Sequence, residues 1–153
     1  MADFDPRITP ARPDLAARFL EGRVAAERFV EGEVARVVDG LAPLRRAPRA
    51  DAALDTEALF GEVLTIYEED DEGWAWVQLA RDGYVGWMPT AAYLKGAAPT
   101  PTHRVRNLRT FLYPGPSIKL PPLGWASMGV RVAVVREAEA NGRRFAITAD
   151  GRA

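Results

Sequence analysis

Gly61-Glu62-Val63-Leu64-Thr65-Ile66-Tyr67, Gly73-Trp74-Ala75-Trp76-Val77-Gln78-Leu79 and Asp82-Gly83-Tyr84-Val85-Gly86-Trp87-Met88-Pro89 are three β-branched and aromatic runs divided by short polar turns. Such residues suit a pleated, half-buried surface better than a helix. The acidic stretch Glu68 to Glu72 reverses the chain after the first run. Arg81-Asp82-Gly83 makes a tight hairpin turn with Asp-Gly at its centre. Pro89 ends the third strand, because proline cannot donate to a ladder.

Upstream, Val34, Arg36 and Val38 alternate with Ala35 and Val37 after Gly32, which suits another strand buried on much of both faces. Leu41 to Asp55, with Pro43, Pro48 and five alanines, reads as an irregular excursion. Met1 to Pro13 holds Pro6, Pro10 and Pro13 and reads as an extended arm. Leu15, Phe19 and Leu20, with Ala16 and Ala17 between them and Gly22 as a stop, predict a helix of about two turns. Downstream, Thr90 to Leu94 suggests a short helical turn, and Gly96 to Pro101 a linker.

The second half repeats the plan. Val105, Leu108, Phe111 and Tyr113 suggest an opening strand, Pro114-Gly115-Pro116 a turn, and Ser117 to Ser127 a second excursion. Gly129 to Val135 parallels Gly61 to Tyr67, and Arg143 to Thr148 parallels Trp74 to Leu79. Gly61 and Asp82 are 21 positions apart, as are Gly129 and Asp150, which argues for an internal repeat. After Asp150-Gly151 come only Arg152 and Ala153, so the second copy is expected to lack its closing strand. Val132, Val134, Phe145 and Ile147 should then be partly uncovered. In a longer protein, residues beyond Ala153 are expected to supply the strand; in this chain, the N-terminal arm or a second copy, giving a homodimer, is expected to cover the edge by strand addition.

The composition narrows the classes of function. Of 153 residues, 48% are hydrophobic and 27% charged, enough apolar material for a core. Twenty Lys and Arg against 21 Asp and Glu give a net charge of −1, with no overall attraction to nucleic acid or anionic lipid. No stretch reaches the roughly 18 to 20 apolar residues of a membrane span. The N-terminus lacks a basic segment followed by an apolar one, so a cytoplasmic location is expected. With no cysteine, disulfides, thiolate metal sites and a cysteine nucleophile are excluded from the chain. No cofactor is expected.

The run Gly61 to Pro89 resembles the bacterial SH3 domain, and more narrowly the N-terminal SH3 pair of NlpC/P60 cysteine peptidases. Leu108 to Pro116 and Pro121-Pro122-Leu123 look like that family's second SH3 unit. The resemblance implies an all-β fold of two tandem SH3-like barrels with a short N-terminal helix, the second barrel lacking its last strand. The expected units are an arm and helix over 1–31, a first barrel over 32–95, a linker over 96–101 and a truncated second barrel over 102–153. Those peptidases cut between γ-D-glutamate and a diamino acid in murein peptides. Their catalytic domain, with its cysteine and histidine, would follow the second unit. The single histidine, His103, falls at the linker, and no thiol accompanies it. The resemblance therefore implies a non-catalytic, substrate-selecting part of such a hydrolase, with a murein peptide as partner. The rival reading is a stand-alone module that binds a protein or a wall peptide.

In those relatives a tyrosine and an acidic residue of the first SH3 unit hold the substrate's free amino end. Tyr84 matches the tyrosine, and Asp55, Glu57 and Glu62 are the acidic candidates. Trp76 and Trp87 read as core aromatics. Trp74 and Trp76, two apart, share a strand face and offer a platform for a peptide or sugar. Glu68 to Glu72 lacks the spacing of a calcium loop and reads as a solvated turn. Arg143-Arg144 alone is far short of a nucleic-acid patch.

Overall fold

The computed structural model describes residues 4–153. Its largest element is a seven-stranded antiparallel sheet. The strands are β3 (Glu33–Val37), β4 (Leu41–Arg45), β5 (Leu54–Leu59), β6 (Val63–Glu69), β7 (Trp74–Leu79), β8 (Val85–Pro89) and β9 (Tyr93–Lys95). They lie in the order β5-β4-β8-β7-β6-β3-β9. Every strand sends apolar or aromatic side chains into one core, among them Val37, Leu44, Ala58, Leu64, Val77, Met88 and Tyr93. The sheet curls around that core but does not close, because its outer strands β5 and β9 do not pair with each other. The expected first barrel is therefore corrected to an open, curled sheet. The join between β4 and β8 is narrow, a single register pair of Arg45 with Trp87. That narrowness tolerates Pro43 inside β4, since most of that edge has no ladder for its missing N–H to interrupt.

The expected irregular excursion over 41–55 is thus mostly the hairpin β4–β5, with a register shift at Leu44/Arg45. The expected turn after Pro89 is a single 3-10 turn, Thr90–Ala92, leading into β9.

The N-terminal helix is absent. Leu15–Ala17 forms β1, parallel to β2 (Arg28–Val30), and only Arg18–Leu20 is a 3-10 turn. Leu15, Ala16 and Ala17 are all fully buried, which one apolar helix stripe cannot achieve. Bonds from distant backbone win as well: Ala17 N–H donates to the Pro10 carbonyl and Arg12 N–H to the Leu15 carbonyl. So short a run cannot recover the cost of helix nucleation without a packed face.

The C-terminal half is not a second barrel. It consists of three two-stranded antiparallel sheets. They pair β10 (His103–Arg104) with β13 (Arg131–Val132), β11 (Arg109–Leu112) with β12 (Gly124–Ser127), and β14 (Val134–Ala140) with β15 (Arg143–Thr148). Their shared core is small: Leu112, Ala126 and Val130 gather around Phe60, contributed by the turn after β5. Ala153 exchanges both backbone hydrogen bonds with Tyr113, at 2.9 and 3.0 Å. The described part of the N-terminal arm, residues 4–13, lies on the seven-stranded sheet and not along β15; the first three residues lie outside the described residues.

Two glycines mark where the halves meet. A Cβ at Gly40 would lie 2.7 Å from the Trp125 carbonyl oxygen, and one at Gly61 would lie 3.0 Å from that of Arg131. Gly61 also has a φ of +80°, a conformation that costs other residues strain. Asp150 fastens the same seam through Arg36 at 3.5 Å.

Candidate functional site

Strand alternation divides β7 into two chemistries. Ala75, Val77 and Leu79 enter the main core. On the other face stand Trp74, Trp76 and Gln78, and the N-terminal arm lies across them. Gln78 Nε2 donates to the carbonyl oxygens of Ile8 and Gly83, each at 3.0 Å. Val85 N–H donates to the Arg7 carbonyl at 2.8 Å. Leu15 is fully buried against Trp76 and Val85, with Val30, Tyr67 and Trp87 around them. Trp76 and Trp87 are therefore aromatics beneath the arm, not members of the main core.

Arg12 is the arm's anchor. Its guanidinium stands 4.4 Å from the Trp76 ring centroid and 5.0 Å from that of Trp87. It is ion-paired with Asp14 at 2.8 Å and with Glu68. Burial works against its charge, and the bonds to the two carboxylates more than offset that, so its pKa is raised. Arg12 Nη1 is buried without a hydrogen-bond acceptor, which leaves the indole faces to stabilise that side of the cation.

The acidic turn is less solvated than its composition suggests. Glu68 also pairs with Arg28 at 3.0 Å. Glu69 accepts from Lys95 at 2.7 Å and from the Tyr93 hydroxyl at 2.5 Å. Those bonds hold the Glu69 carboxyl below its ordinary pKa, while burial, together with the Glu69 bond, raises the Tyr93 phenol. Asp70 accepts the backbone N–H of Trp74 at 2.8 Å.

Tyr84 packs partly buried against the main core, directly before β8. Asp55, on β5, is ion-paired with Arg46 at 2.7 Å and its side chain is only 12% exposed. The Arg7 guanidinium is exposed and donates to Asp5, and the Arg7 carbonyl accepts the Val85 N–H directly after Tyr84. The arm thus runs alongside the start of β8, next to Tyr84. Glu57 lies two residues further along β5 and is exposed. The other two candidates sit elsewhere. Glu62 is paired with Arg81 at 2.8 Å and lines a junction cavity of about 200 Å³ with Arg104 and Arg131. Trp74 is level with Pro89, whereas the Tyr84 end of the hairpin is marked by the pair Gln78 and Val85.

Arg7 and Arg12 are the residues sequence reading missed. Three prolines signalled an extended arm, but nothing local indicated which face it would cover. Among the described residues, no group of three or more His, Cys, Asp or Glu could hold a metal ion. No helix among them is long and apolar enough to cross a membrane.

Residues 44–92 match the family model of the bacterial dipeptidyl-peptidase Sh3 domain. No curated protein matches the chain. Among solved structures, NlpC1 from Trichomonas vaginalis is 14% identical, with 81% of this chain and 46% of that one covered, at a TM-score of 0.38. NlpC2 from the same organism is also 14% identical, covering 80% and 48%, at a TM-score of 0.36. The chain spans about half the length of those two proteins. Superpositions of that quality do not establish a shared fold, so the sequence match over 44–92 alone carries a link, to the bacterial dipeptidyl-peptidase Sh3 domain.

Proposed function

We propose that this chain is the non-catalytic, peptide-selecting region of a hydrolase acting on γ-D-glutamyl-diamino acid murein peptides. In this reading Tyr84, Asp55 and Glu57 receive the peptide's free amino end. The observation that carries it is that one sheet holds both Tyr84, partly buried against the core directly before β8, and the Asp55 carboxylate on β5: a phenol and a carboxylate are groups suited to receiving an ammonium. The matched family segment also spans Asp55, Glu57, Glu62, Trp74 and Tyr84. The chain contains no cysteine, so in this reading its part is binding and orientation, not acyl transfer.

Calorimetric titration with L-alanyl-γ-D-glutamyl-diamino acid peptide tests the proposal. The free peptide should bind and its N-acetylated form should bind much more weakly. Tyr84→Ala should cost about 1.5 to 3 kcal/mol of binding, the range for a hydrogen bond to a charged group. Equal binding of the two peptides would remove the amine-reading role. A cleaved product in the cell would refute the non-catalytic assignment.

A further inference from the structure

The near-neutral net charge conceals two oppositely charged halves. Residues 1–101 hold eleven Lys and Arg against eighteen Asp and Glu, and residues 102–153 hold nine against three. The excess in the second half is gathered around one cavity of about 530 Å³, a size typical of ligand sites. Its apolar floor includes Val105, Leu112, Val132 and Phe145. Arg104, Arg109, Arg143 and Arg144 stand at its rim, and no Asp or Glu lines it. Among the described residues, none of these four arginines has a carboxylate partner. Glu139 lies opposite Arg144 in register, yet forms no ion pair with it. Arg109 stacks on Trp125 at 4.6 Å, which holds its guanidinium in place without neutralising it.

The backbone around the cavity is also unsatisfied. In an antiparallel ladder, alternate residues direct both N–H and C=O to the same side. On β11, the Leu108 and Leu112 carbonyls accept bonds on the β12 side, while Tyr113 bonds Ala153 on the other. Phe111 and Arg109 therefore present their N–H and C=O to the side away from β12. On β15, Thr148 bonds outward to Gly151 and Arg152, so Ala146 and Arg144 present theirs away from β14. Arg109, Phe111, Arg144 and Ala146 all line the cavity.

We infer that this groove binds an extended peptide alternating apolar and acidic residues, added as a strand to the free edge of β11 or β15. Backbone pairing supplies the register, the apolar floor takes alternate side chains, and the arginines receive the carboxylates. A nucleic acid would satisfy the arginines and could stack on the aromatic rings, but it could not pair with the strand edges.

The test titrates the full chain with a capped glutamate–valine alternating peptide, following amide shifts by nuclear magnetic resonance. Saturable binding with shifts at Arg109, Phe111, Arg144 and Ala146 is expected. A lysine–valine peptide should not bind, and methylating alternate peptide amides should abolish binding. Arg104→Glu with Arg144→Glu should weaken the acidic peptide about tenfold or more and let the lysine peptide bind. Equal binding of the methylated peptide would overturn the inference, as would tighter binding of oligothymidylate. So would shifts confined to other residues, or a dimer of the chain that excludes the peptide. Should the charge reversal unfold the protein, the wild-type comparison of free with methylated peptide decides the question.

Discussion

The hairpins β6–β7 and β14–β15 have strands of the same lengths, seven and six residues, and each carries one register irregularity. Their fates differ. The first buries Leu64, Ile66, Ala75, Trp76, Val77 and Leu79, has β3 and β8 on its flanks and carries the arm on its outer face. The second buries only Ile147 and Thr148, and its Val135 remains 64% exposed. A hairpin is specified locally by its turn and alternation, but its stability comes from what covers it. The difference also separates surroundings: the covered hairpin leads into Tyr84 at the edge of the main core, and the bare one borders an open groove.

Core truncation should show the contrast most strongly. Leu64→Ala should cost about 3 kcal/mol or more by denaturant titration, as for other fully buried leucines. Val134→Ala, only half-buried, should cost less than about 1 kcal/mol. Amide exchange should likewise be slower through β6 and β7 than through β14 and β15. Equal protection would show that the second hairpin has support beyond its small core.

Releasing the arm comes next. Arg12→Ala removes the cation stacked between Trp76 and Trp87 and leaves Glu68 with one fewer partner. A loss of about 2 kcal/mol is expected, with faster proteolysis before Leu15. If stability and cleavage stay unchanged, the arm is not what protects the aromatic face.

The seam between the halves should respond to acid. Burial raises the Asp150 pKa, but the Thr148 hydroxyl together with Arg152 and Arg36 lowers it further, and the net shift is downward. A carboxylate depressed in the folded state contributes stability above its unfolded pKa, near 3.8, and that contribution is lost as the pH falls through the lower folded value. Asp150→Asn should therefore lose about 1 kcal/mol at neutral pH and flatten the acid limb of the stability curve. An unchanged acid limb would exclude Asp150 as its cause. Tyr93 works with the opposite sign: its raised phenol pKa contributes stability below pH 10, lost as the pH rises through the folded value.

The smallest effect concerns the corner at Tyr84. Arg7 is exposed on the stretch of arm beside Tyr84, where its charge would oppose an incoming ammonium group, so Arg7→Ala should tighten binding of a free-amine peptide by about two- to fivefold, typical of a surface charge. Weaker binding would make Arg7 part of the receptor and not a competitor.

The period-two alternation over 61–89, the Asp-Gly turn and the stop at Pro89 were legible in the sequence because they are local properties of the chain. The all-β class, the strands β6, β7 and β8, and the second hairpin followed from them. The helix at Leu15 was misread because its apolar spacing suits a helix stripe, while full burial of three consecutive residues requires an extended strand between two surfaces. Barrel closure was not legible either, since it depends on whether β5 and β9 meet, a relation between residues far apart in sequence. The same holds for function. Tyr84 and Asp55 could be named as residues, but only the fold lays the Arg7 backbone against β8 beside Tyr84. The arginines of the second half looked like scattered charges in sequence. Only the tertiary structure decided that four of them rim one cavity, because charges at positions 104, 109, 143 and 144 meet only when three small sheets pack side by side.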